Sequence, residues 1–358
     1  MLVDYDSCGM LWPIFSEATP MTLTHKERLR RALLHQPIDR LPTQINYTTS
    51  MGQKLAAHFN VPAADLPHVL DNHFVRVDLT YPARLSDDSK IRFDWWGAGH
   101  DTGEEGYYIP VNPLKDSKDL DAFPWPNPLD PHLLDEATRT ITTCGREYFI
   151  APNFGFALFE RAWSLRGFEQ IFIDLGRDQD FVGALLDRIM AIQLALIQRF
   201  IDLGVDGGYF GDDYGAQKNL LFSPVQWRKL IKPRLARLFA PFVERGLLVI
   251  MHSDGQIHKI LPDLIEIGLT TLNPVQPEVL DHQWLVENFK GRLSFYGGVS
   301  TQTVLPYGSP AEVRAAVQQG VRDLAPDQTG LLIGPSHRMM TDIPLNNVEA
   351  MLAAFHEL

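Results

Sequence analysis

Side chains that can transfer protons or bind divalent metals recur directly after predicted strands in the second half of the chain. They are Asp212 and Asp213 after the strand predicted over 205–211, His252 and Asp254 after 247–252, and His337 after 331–335. Such groups can act as general bases or hold a metal, although a carboxylate at a strand end can also cap a turn. Two adjacent carboxylates point in different directions. We therefore expect at most one of Asp212 and Asp213 to face a shared cavity and act in catalysis, together with His337.

Amide and hydroxyl groups near other predicted strands are candidates for substrate binding. They are Asn153 after 147–151, Asn273 and Gln276 after 269–273, and Tyr47 in the segment 41–47. Groups of this kind fix the orientation of a bound ligand through hydrogen bonds. The stretch 273–277 (NPVQP) is equally typical of a rigid turn. Glu160 is a weaker candidate because a negative charge at a predicted helix start also favours the helix dipole.

From residue 147 onwards, short apolar segments alternate with segments of helical periodicity, which indicates βα units and a parallel sheet. The predicted strands cover 147–151, 205–211, 247–252, 269–273, 293–297 and 331–335, and the predicted helices cover 157–174, 224–244, 257–267, 281–289, 310–324 and 345–357. Polar residues at successive strand ends converge on one mouth if the sheet closes. A doubly wound sheet would instead use one switch point, usually with a glycine-rich phosphate loop, and the sequence contains no GxGxxG or GxxxxGK[ST]. We therefore predict an α/β fold of the (β/α)₈ TIM-barrel type.

The first half of the chain carries a less regular pattern. The segment 41–47 is predicted as a strand, and 74–79, 91–96 and 106–110 as a short antiparallel β-hairpin excursion. Its aromatic residues, Trp95, Trp96, Tyr107 and Tyr108, could wall a pocket or could pack the hairpin over the barrel. The proline-rich stretch 110–131 is predicted as a surface loop.

One domain is expected over residues 22–358. Thr24 followed by Glu27 is typical of a capping box for the first helix. Residues 1–21 before it are expected to be a loose extension, and an upstream misassignment of the start at Met1 rather than Met21 explains them equally well.

Composition excludes several classes of function. The net charge of −12 over 358 residues argues against a nucleic-acid partner, because phosphate binding needs clustered lysines and arginines. Cys8 and Cys144 are too few for a disulfide framework or a thiolate zinc cage, which favours a reducing cytoplasm. The sequence has no uncharged apolar run of the roughly 18 residues that a membrane span needs. Residues 1–20 contain no lysine or arginine, so they are not expected to be a secretory signal.

Several motifs, spread over about residues 22–357, resemble the uroporphyrinogen-decarboxylase-like superfamily. They are the opening THKERLRRAL with IDRLP, GDDYG at 211–215, HSDG at 252–255 with LPDLIEIG at 261–268, NPVQP at 273–277, YGGV at 296–299, and GPSH at 334–337 followed by Pro344 and Asn347. The resemblance implies a (β/α)₈ barrel. It also implies one of two activities: uroporphyrinogen decarboxylation or a methyl transfer linked to a corrinoid.

The substrate of the decarboxylase branch has eight carboxylates, and that branch carries an arginine-rich segment near the first strand to bind them. The matching stretch here, 42–54 (PTQINYTTSMGQK), contains no arginine. Uroporphyrinogen is therefore not the expected substrate. His337 nevertheless matches a histidine of the decarboxylases, so this branch stays open for a less anionic substrate.

The methyltransferase branch carries a zinc site with a His-x-Cys pair and a later cysteine. His252 matches that histidine, whereas Asp254 and His337 stand where the two cysteines would be. Two histidines and one carboxylate remain a credible metal set. Without thiolates the metal would be a stronger Lewis acid, and its choice widens from zinc, the first expectation, to manganese, iron or cobalt.

We therefore expect a metal-dependent methyl (C1) transferase or demethylase, with His252, Asp254 and His337 as ligands and Asp212 or Asp213 managing a proton. A small molecule would be the substrate. A corrinoid would come from a partner protein, since the chain has no DxHxxG motif. A homodimer is compatible with the sequence. The alternatives are a metal-free decarboxylase of a less anionic substrate and a catalytically silent, ligand-binding barrel.

Overall fold

The computed structural model describes residues 23–103 and 108–358. Ten strands are formed: β1 (Phe74–Val77), β2 (Arg84–Leu85), β3 (Ile91–Phe93), β4 (Gly99–Asp101), β5 (Phe149–Gly155), β6 (Gly207–Gly211), β7 (Leu248–His252), β8 (Thr271–Asn273), β9 (Ser294–Val299) and β10 (Leu331–Pro335). The helices are α1 (His25–Leu33), α2 (Thr49–Phe59), α3 (Leu66–Val69), α4 (Asp135–Cys144), α5 (Phe159–Arg166), α6 (Phe168–Arg177), α7 (Gln179–Asp202), α8 (Pro224–Leu230), α9 (Lys232–Val243), α10 (Leu261–Glu266), α11 (His282–Phe289), α12 (Val304–Tyr307), α13 (Pro310–Leu324) and α14 (Leu345–Phe355).

Seven of the strands form one parallel sheet in the order β1-β5-β6-β7-β8-β9-β10. Helices separate most of these strands along the chain, so the α/β class and the parallel sheet are confirmed. The arrangement is consistent with a TIM-like barrel. Because the carboxyl ends of parallel strands share one edge of a sheet, the polar residues that follow the strands are brought to the same side of the molecule.

The segment 41–47, predicted as a strand, makes isolated parallel bridges from Thr43 to Asn72 and Ile333 and from Tyr47 to Met339. It thus runs between the two edge strands of the sheet. Two side chains replace the missing ladder bonds: Asn72 Oδ1 accepts from Ile45 N–H (2.7 Å), and Gln44 Oε1 accepts from Phe74 N–H (3.0 Å). Such side-chain substitution, together with the missing N–H of Pro42, explains why no regular strand forms.

The prediction of an antiparallel excursion is wrong for residues 74–79. Residues 74–77 form β1, which pairs in parallel with β5 in the main sheet. The antiparallel sheet consists of β2, β3 and β4 instead. The predicted strand 106–110 lies partly outside the described residues, as does Tyr107, and Tyr108 is exposed. The alternating pattern alone did not distinguish a strand that enters the main sheet from one in a peripheral hairpin.

Two predicted helices are each divided into two. The helix predicted over 157–174 breaks between α5 and α6 at Gly167, whose φ of +96° suits glycine. The helix predicted over 224–244 breaks between α8 and α9, where Pro233 stands in the first turn of the second helix. The boundaries of α13 and of β10 match the prediction.

Beneath the strand ends, the inward-facing side chains form a closed apolar layer. Its members are Leu29, Leu33, Phe74, Phe149, Ala151, Tyr209, Leu248, Ile250, Tyr296 and Leu332. Helix α1, from which two of them come, begins after Thr24, whose hydroxyl accepts from Glu27 N–H at 3.1 Å. This packed layer closes the interior below the strand ends, and the candidate site residues lie above it at the open end.

The predicted loose extension, 1–21, and Cys8 lie outside the described residues. Within the described ranges, no helix combines the length and the apolar character that a membrane crossing requires.

Candidate active site

A cavity of about 1220 Å³ opens at the carboxyl ends of the strands. Eight of the nine residues predicted for the site line it: Tyr47, Asn153, Asp213, His252, Asp254, Asn273, Gln276 and His337. Asp212 does not. Trp95 and Trp96 also line the cavity, while Trp96 is at the same time buried in the core. His258 is not part of the cavity lining, and its ring packs against Trp284.

His252, Asp254 and His337 come together in one cluster. Nε2 of His252 is 3.5 Å from Asp254 Oδ1, and Nε2 of His337 is 3.8 Å from Asp254 Oδ2. One ligand atom from each residue lies within 4.8 Å of the other two. The three side chains are therefore close enough to share one divalent metal after small adjustments, with His₂-carboxylate as the donor set.

Asn273 fixes the orientation of His252. The Asn273 Oδ1 atom is 2.8 Å from Nδ1 of His252 and accepts the hydroxyl of Tyr209 at 3.0 Å. An acceptor on Nδ1 selects the tautomer whose proton is on that nitrogen, which leaves the Nε2 lone pair directed at Asp254. Asn273 was predicted to bind substrate, and it lies in the cavity lining, but its amide oxygen is engaged with protein.

Two observations test whether the cluster suits a metal. Asp254 Oδ1 is buried and, among the described residues, has no hydrogen-bond donor. Burial, followed by the neighbouring His252, lowers the pKa of His337 to about 4, so this imidazole is neutral and keeps a lone pair for coordination at neutral pH. A buried carboxylate oxygen without a donor is costly unless a cation is supplied. The donor set therefore fits a divalent metal.

The loop that carries Asp254 is held by side chains from neighbouring strand ends. Asp213 Oδ1 accepts from the backbone N–H of Asp254 at 2.8 Å, and Gln276 Oε1 accepts from that of Gly255 at 3.0 Å. A Cβ at Gly255 would come within 2.5 Å of the carbonyl carbon of Gly215, and its φ is +79°. Only glycine suits this position. Asp213 and Gln276 thus position the cluster as well as line the cavity.

Asp212 lies behind the cavity, fully buried. Its carboxylate accepts from the backbone N–H groups of Leu158, Phe159 and Glu160 at 3.2, 2.9 and 2.6 Å, and from the hydroxyl of Tyr214 at 2.6 Å. It therefore occupies the N-terminus of α5, where unsatisfied amide groups attract a negative charge. Of the two adjacent carboxylates, Asp213 faces the cavity and Asp212 faces the helix.

Glu160, a weaker candidate in the sequence analysis, lines the cavity. Burial raises the pKa of this carboxyl well above its ordinary value, and the negative charges of Asp213 and Asp212 raise it further. A carboxyl with a raised pKa keeps its proton to higher pH and can donate it to a reacting group. In the sequence analysis, the helix dipole was one explanation for a negative charge at residue 160. In the structure this residue is instead a partly buried carboxyl with a raised pKa.

We expect the difference in unfolding free energy between the Glu160→Gln variant and the wild type to grow in favour of the variant as the pH rises. A carboxyl whose pKa is raised by folding contributes stability below its unfolded pKa and loses that contribution as the pH approaches the folded value. The variant and the wild type should therefore unfold at similar urea concentrations at pH 5, and the variant at a higher concentration at pH 8. Glu169→Gln, at an exposed position of α6, is the control that should show no such divergence. A constant difference at both pH values would contradict a buried neutral Glu160.

Two cavity residues, Arg76 and Asp78, are absent from the sequence predictions. Their segment was predicted to belong to the antiparallel excursion and not to the parallel sheet. They are two residues apart on and just after β1, so both face the cavity. Asp78 accepts from the side-chain amide of Asn153 at 2.8 Å. Tyr47, half-buried, lines the cavity beside the isolated bridge between its own backbone and Met339.

The two glycines of the YGGV motif lie near the end of β9, directly before its last residue, Val299. Gly297 and Gly298 have φ values of +118° and +108°. A Cβ on Gly298 would meet Leu324 at 3.2 Å. Their role is conformational at this strand end, and their φ values account for the YGGV motif.

A second cluster of histidine and carboxylate is formed by His25, Asp71 and His73. It already has counter-charges: Asp71 pairs with Arg40, and His73 Nε2 contacts the guanidinium of Arg28 at 3.1 Å. Burial lowers the pKa of His73 to about 3. Two arginines beside the cluster disfavour a further cation, so it serves as a structural network that joins α1 to the segment before β1.

Comparison with known proteins places the chain in a family. Residues 97–358 match the sequence model described as uroporphyrinogen decarboxylase (URO-D). No curated protein matches the chain. A solved structure titled methyltransferase from Methanosarcina mazei is similar over 94% of this chain and 99% of its own, with a TM-score of 0.70 and 18% identity. A B12-independent methionine synthase from Shewanella sp. W3-18-1 covers 63% of this chain and 67% of its own, with a TM-score of 0.45 and 11% identity.

The first of these structures has the same fold over nearly its whole length. The family match extends over most of the chain, from the antiparallel strands to the C-terminus, and contains the strand ends that carry Asp213, His252, Asp254 and His337. The chain belongs to the uroporphyrinogen decarboxylase family.

Proposed function

We propose that the protein is a metal-dependent methyl transferase or demethylase of this family. One observation supports this assignment above the others: His252, Asp254 and His337 converge in the cavity around a carboxylate oxygen that is buried and has no donor among the described residues. The structure with the same fold from Methanosarcina mazei is titled a methyltransferase, which agrees with the proposal. Zinc is the first candidate, since His₂-carboxylate is a known catalytic set for it.

A bound divalent metal would act as a Lewis acid toward an oxygen or nitrogen substituent of the substrate. The residues of the chain do the rest. Asn273 holds His252 in one tautomer, and Asp213 and Gln276 hold the loop that carries Asp254. Glu160, whose carboxyl has a raised pKa, would supply a proton to the departing group, and Asp213, which faces the same cavity, would accept a proton in the reverse reaction.

The methyl group would travel to or from a corrinoid on a separate protein. The cavity, about 1220 Å³ in volume, is large enough for a small molecule, and its open end would give a carrier access to the cluster. Methyl ethers and methylated amines are the proposed donors, because both leave a heteroatom that a Lewis acid can bind and an acid can protonate.

The alternative is a metal-free decarboxylase of a less anionic substrate. The family match and the neutral Glu160 favour it, because decarboxylation consumes a proton at the carbon that loses carbon dioxide. In that mechanism His337 and Asp213 would stabilise the protonated intermediate, and the Asp254 oxygen would stay without a partner.

A direct assay separates the two. The zinc-loaded protein is incubated with cob(I)alamin and a panel of methyl ethers and methylamines, and methylcobalamin is followed by its absorbance. In parallel, carboxylic acids are tested for release of carbon dioxide before and after chelator treatment. Zinc-dependent formation of methylcobalamin would support the proposal. Carbon dioxide release that survives chelation, with no methyl transfer, would refute it in favour of the decarboxylase.

We expect Asn273→Ala to weaken zinc binding by about 10- to 100-fold, the usual effect of removing a residue that orients a histidine ligand. Without the Oδ1 acceptor, His252 can adopt the other tautomer and rotate. The affinity is measured by competition with a chromophoric chelator. Asn288→Ala, an asparagine that caps its own helix on the surface, should bind zinc like the wild type. Equal affinity for all three proteins would show that Asn273 does not orient a ligand.

A further inference from the structure

Arg76 is a cation of the cavity that neither activity discussed above uses. It lies on β1, lines the cavity, and has a partly buried side chain. Its Cζ is 4.9 Å from the centroid of the Tyr209 ring, a cation–π contact. Tyr209 and Tyr296, its two tyrosine neighbours, belong to the apolar layer under the cavity. Arg76 therefore stands on the cavity floor.

Two other arginines of this region have carboxylate partners. Arg161 pairs with Asp94, and Arg166 pairs with Asp174. Among the described residues, no carboxylate forms an ion pair with Arg76. The negative charge of Asp78 acts on Arg76, but the Asp78 carboxylate accepts its hydrogen bond from Asn153. A partly buried guanidinium that faces a cavity without a bonded carboxylate can bind the carboxylate of a ligand.

A chain of contacts links this arginine to the metal cluster. The ring of Tyr209 lies against the Arg76 guanidinium, the Tyr209 hydroxyl donates to Asn273 Oδ1 at 3.0 Å, and that oxygen contacts His252 at 2.8 Å. A substrate anchored on Arg76 would extend from the floor along the same wall toward His252. Its reacting group would then lie at the cluster.

We infer that Arg76 binds a carboxylate of the substrate, so that the substrate class is a small organic acid with one anionic end on the cavity floor and its transferable methyl group toward His252, Asp254 and His337. The position of the methyl group rests on the proposed function, whereas carboxylate binding by Arg76 does not. A single planar guanidinium matches a single carboxylate, with two parallel N–H···O bonds. The missing arginines of 42–54 argue against a polycarboxylate such as uroporphyrinogen, and Arg76 on β1 suits one acid group.

The test uses two pairs of probes, 4-methoxybenzoate with 4-methoxybenzamide and acetate with acetamide. Each amide matches its acid in shape and lacks the charge. Dissociation constants are measured by ligand-observed NMR on the full chain, with and without zinc. We expect at least one acid to bind roughly tenfold or more tightly than its amide, the usual gain of a hydrogen-bonded charge. Arg76→Gln should bring that ratio close to one, and Arg76→Lys should retain part of it.

Two further arginines in the cavity lining provide the controls. Arg92, on the exposed strand β3, and Arg338, beside His337, should keep the acid preference when each is replaced by glutamine. The inference is overturned if acids and amides bind equally, if no acid binds, or if the preference disappears in Arg338→Gln and survives in Arg76→Gln. Arg76→Gln should melt no lower than the wild type, because it removes a charge without an anionic partner. A lower melting temperature with the acid preference intact would show a structural role instead.

The His252→Ala variant separates this inference from the proposed function. If the cluster binds no metal but Arg76 binds acids, the preference persists in wild type and in His252→Ala alike, and only the methyl-transfer proposal fails. If the acid preference requires His252 and zinc, the carboxylate binds at the metal, and the assignment to Arg76 fails.

Discussion

Replacing His252 or His337 by alanine is expected to weaken zinc binding by a factor on the order of a hundred or more and to abolish methyl transfer. Each imidazole supplies one of three protein ligands, and loss of one leaves a two-ligand site. Each tenfold loss of affinity corresponds to about 1.4 kcal/mol, so a hundredfold is a modest share of a typical zinc-binding free energy of about 10–16 kcal/mol. The affinity is measured by chelator competition at constant pH, and turnover by methylcobalamin formation.

The matched control for this prediction is His258→Ala. His258 packs against Trp284 and is not part of the cavity lining, so its loss should leave zinc affinity and turnover unchanged. Zinc affinity that falls equally in all three variants would point to a general loss of structure. Unchanged affinity in both His252→Ala and His337→Ala would remove the cluster as a metal site.

Replacing Asp212 by alanine is expected to lower the free energy of unfolding by about 3 kcal/mol or more. The carboxylate accepts from three backbone N–H groups at the start of α5 and from the Tyr214 hydroxyl, all of them buried. A buried donor left without an acceptor costs about 1–3 kcal/mol, and loss of a helix cap alone costs about 1 kcal/mol. Urea unfolding followed by circular dichroism gives the free energy.

The neighbouring carboxylate provides the contrast. Asp213→Ala should change the free energy of unfolding much less, because Asp213 is partly exposed to the cavity and accepts one backbone N–H from Asp254. Its loss should instead reduce turnover. If Asp212→Ala is as stable as the wild type, or if Asp213→Ala is the less stable of the two, the division of roles between these carboxylates is wrong.

The order of strands and helices from residue 147 onwards could be predicted because buried parallel strands and amphipathic helices have different periodicities. The strand-end rule then placed most of the candidate site residues in the cavity, since carboxyl ends of parallel strands share one edge. The rule could not tell Asp212 from Asp213. The carboxylate that turns toward α5 is the one nearer to the start of that helix. The start of α5 depends in turn on the path of the chain through Gly155, Phe156 and Ala157 after β5.

Residues of the first half were harder to place. The pattern of residues 74–77 is compatible with a peripheral hairpin and with a strand of the main sheet. The segment 41–47 forms part of its hydrogen bonds with the side chains of Asn72 and Gln44, which a strand pattern does not contain. Arg76 was overlooked for this reason, because an arginine within a peripheral hairpin is ordinary. Its significance depends on long-range contacts with Tyr209 and Tyr296, which no local pattern contains.

The central claim is that His252, Asp254 and His337 hold one divalent metal. Anomalous diffraction from zinc-soaked crystals, recorded on both sides of the zinc absorption edge, tests it most directly. We expect one strong peak between Nε2 of His252, a carboxylate oxygen of Asp254 and a ring nitrogen of His337, at about 2.0–2.2 Å from each. No peak at this cluster, or a peak only at His25, Asp71 and His73, would contradict it.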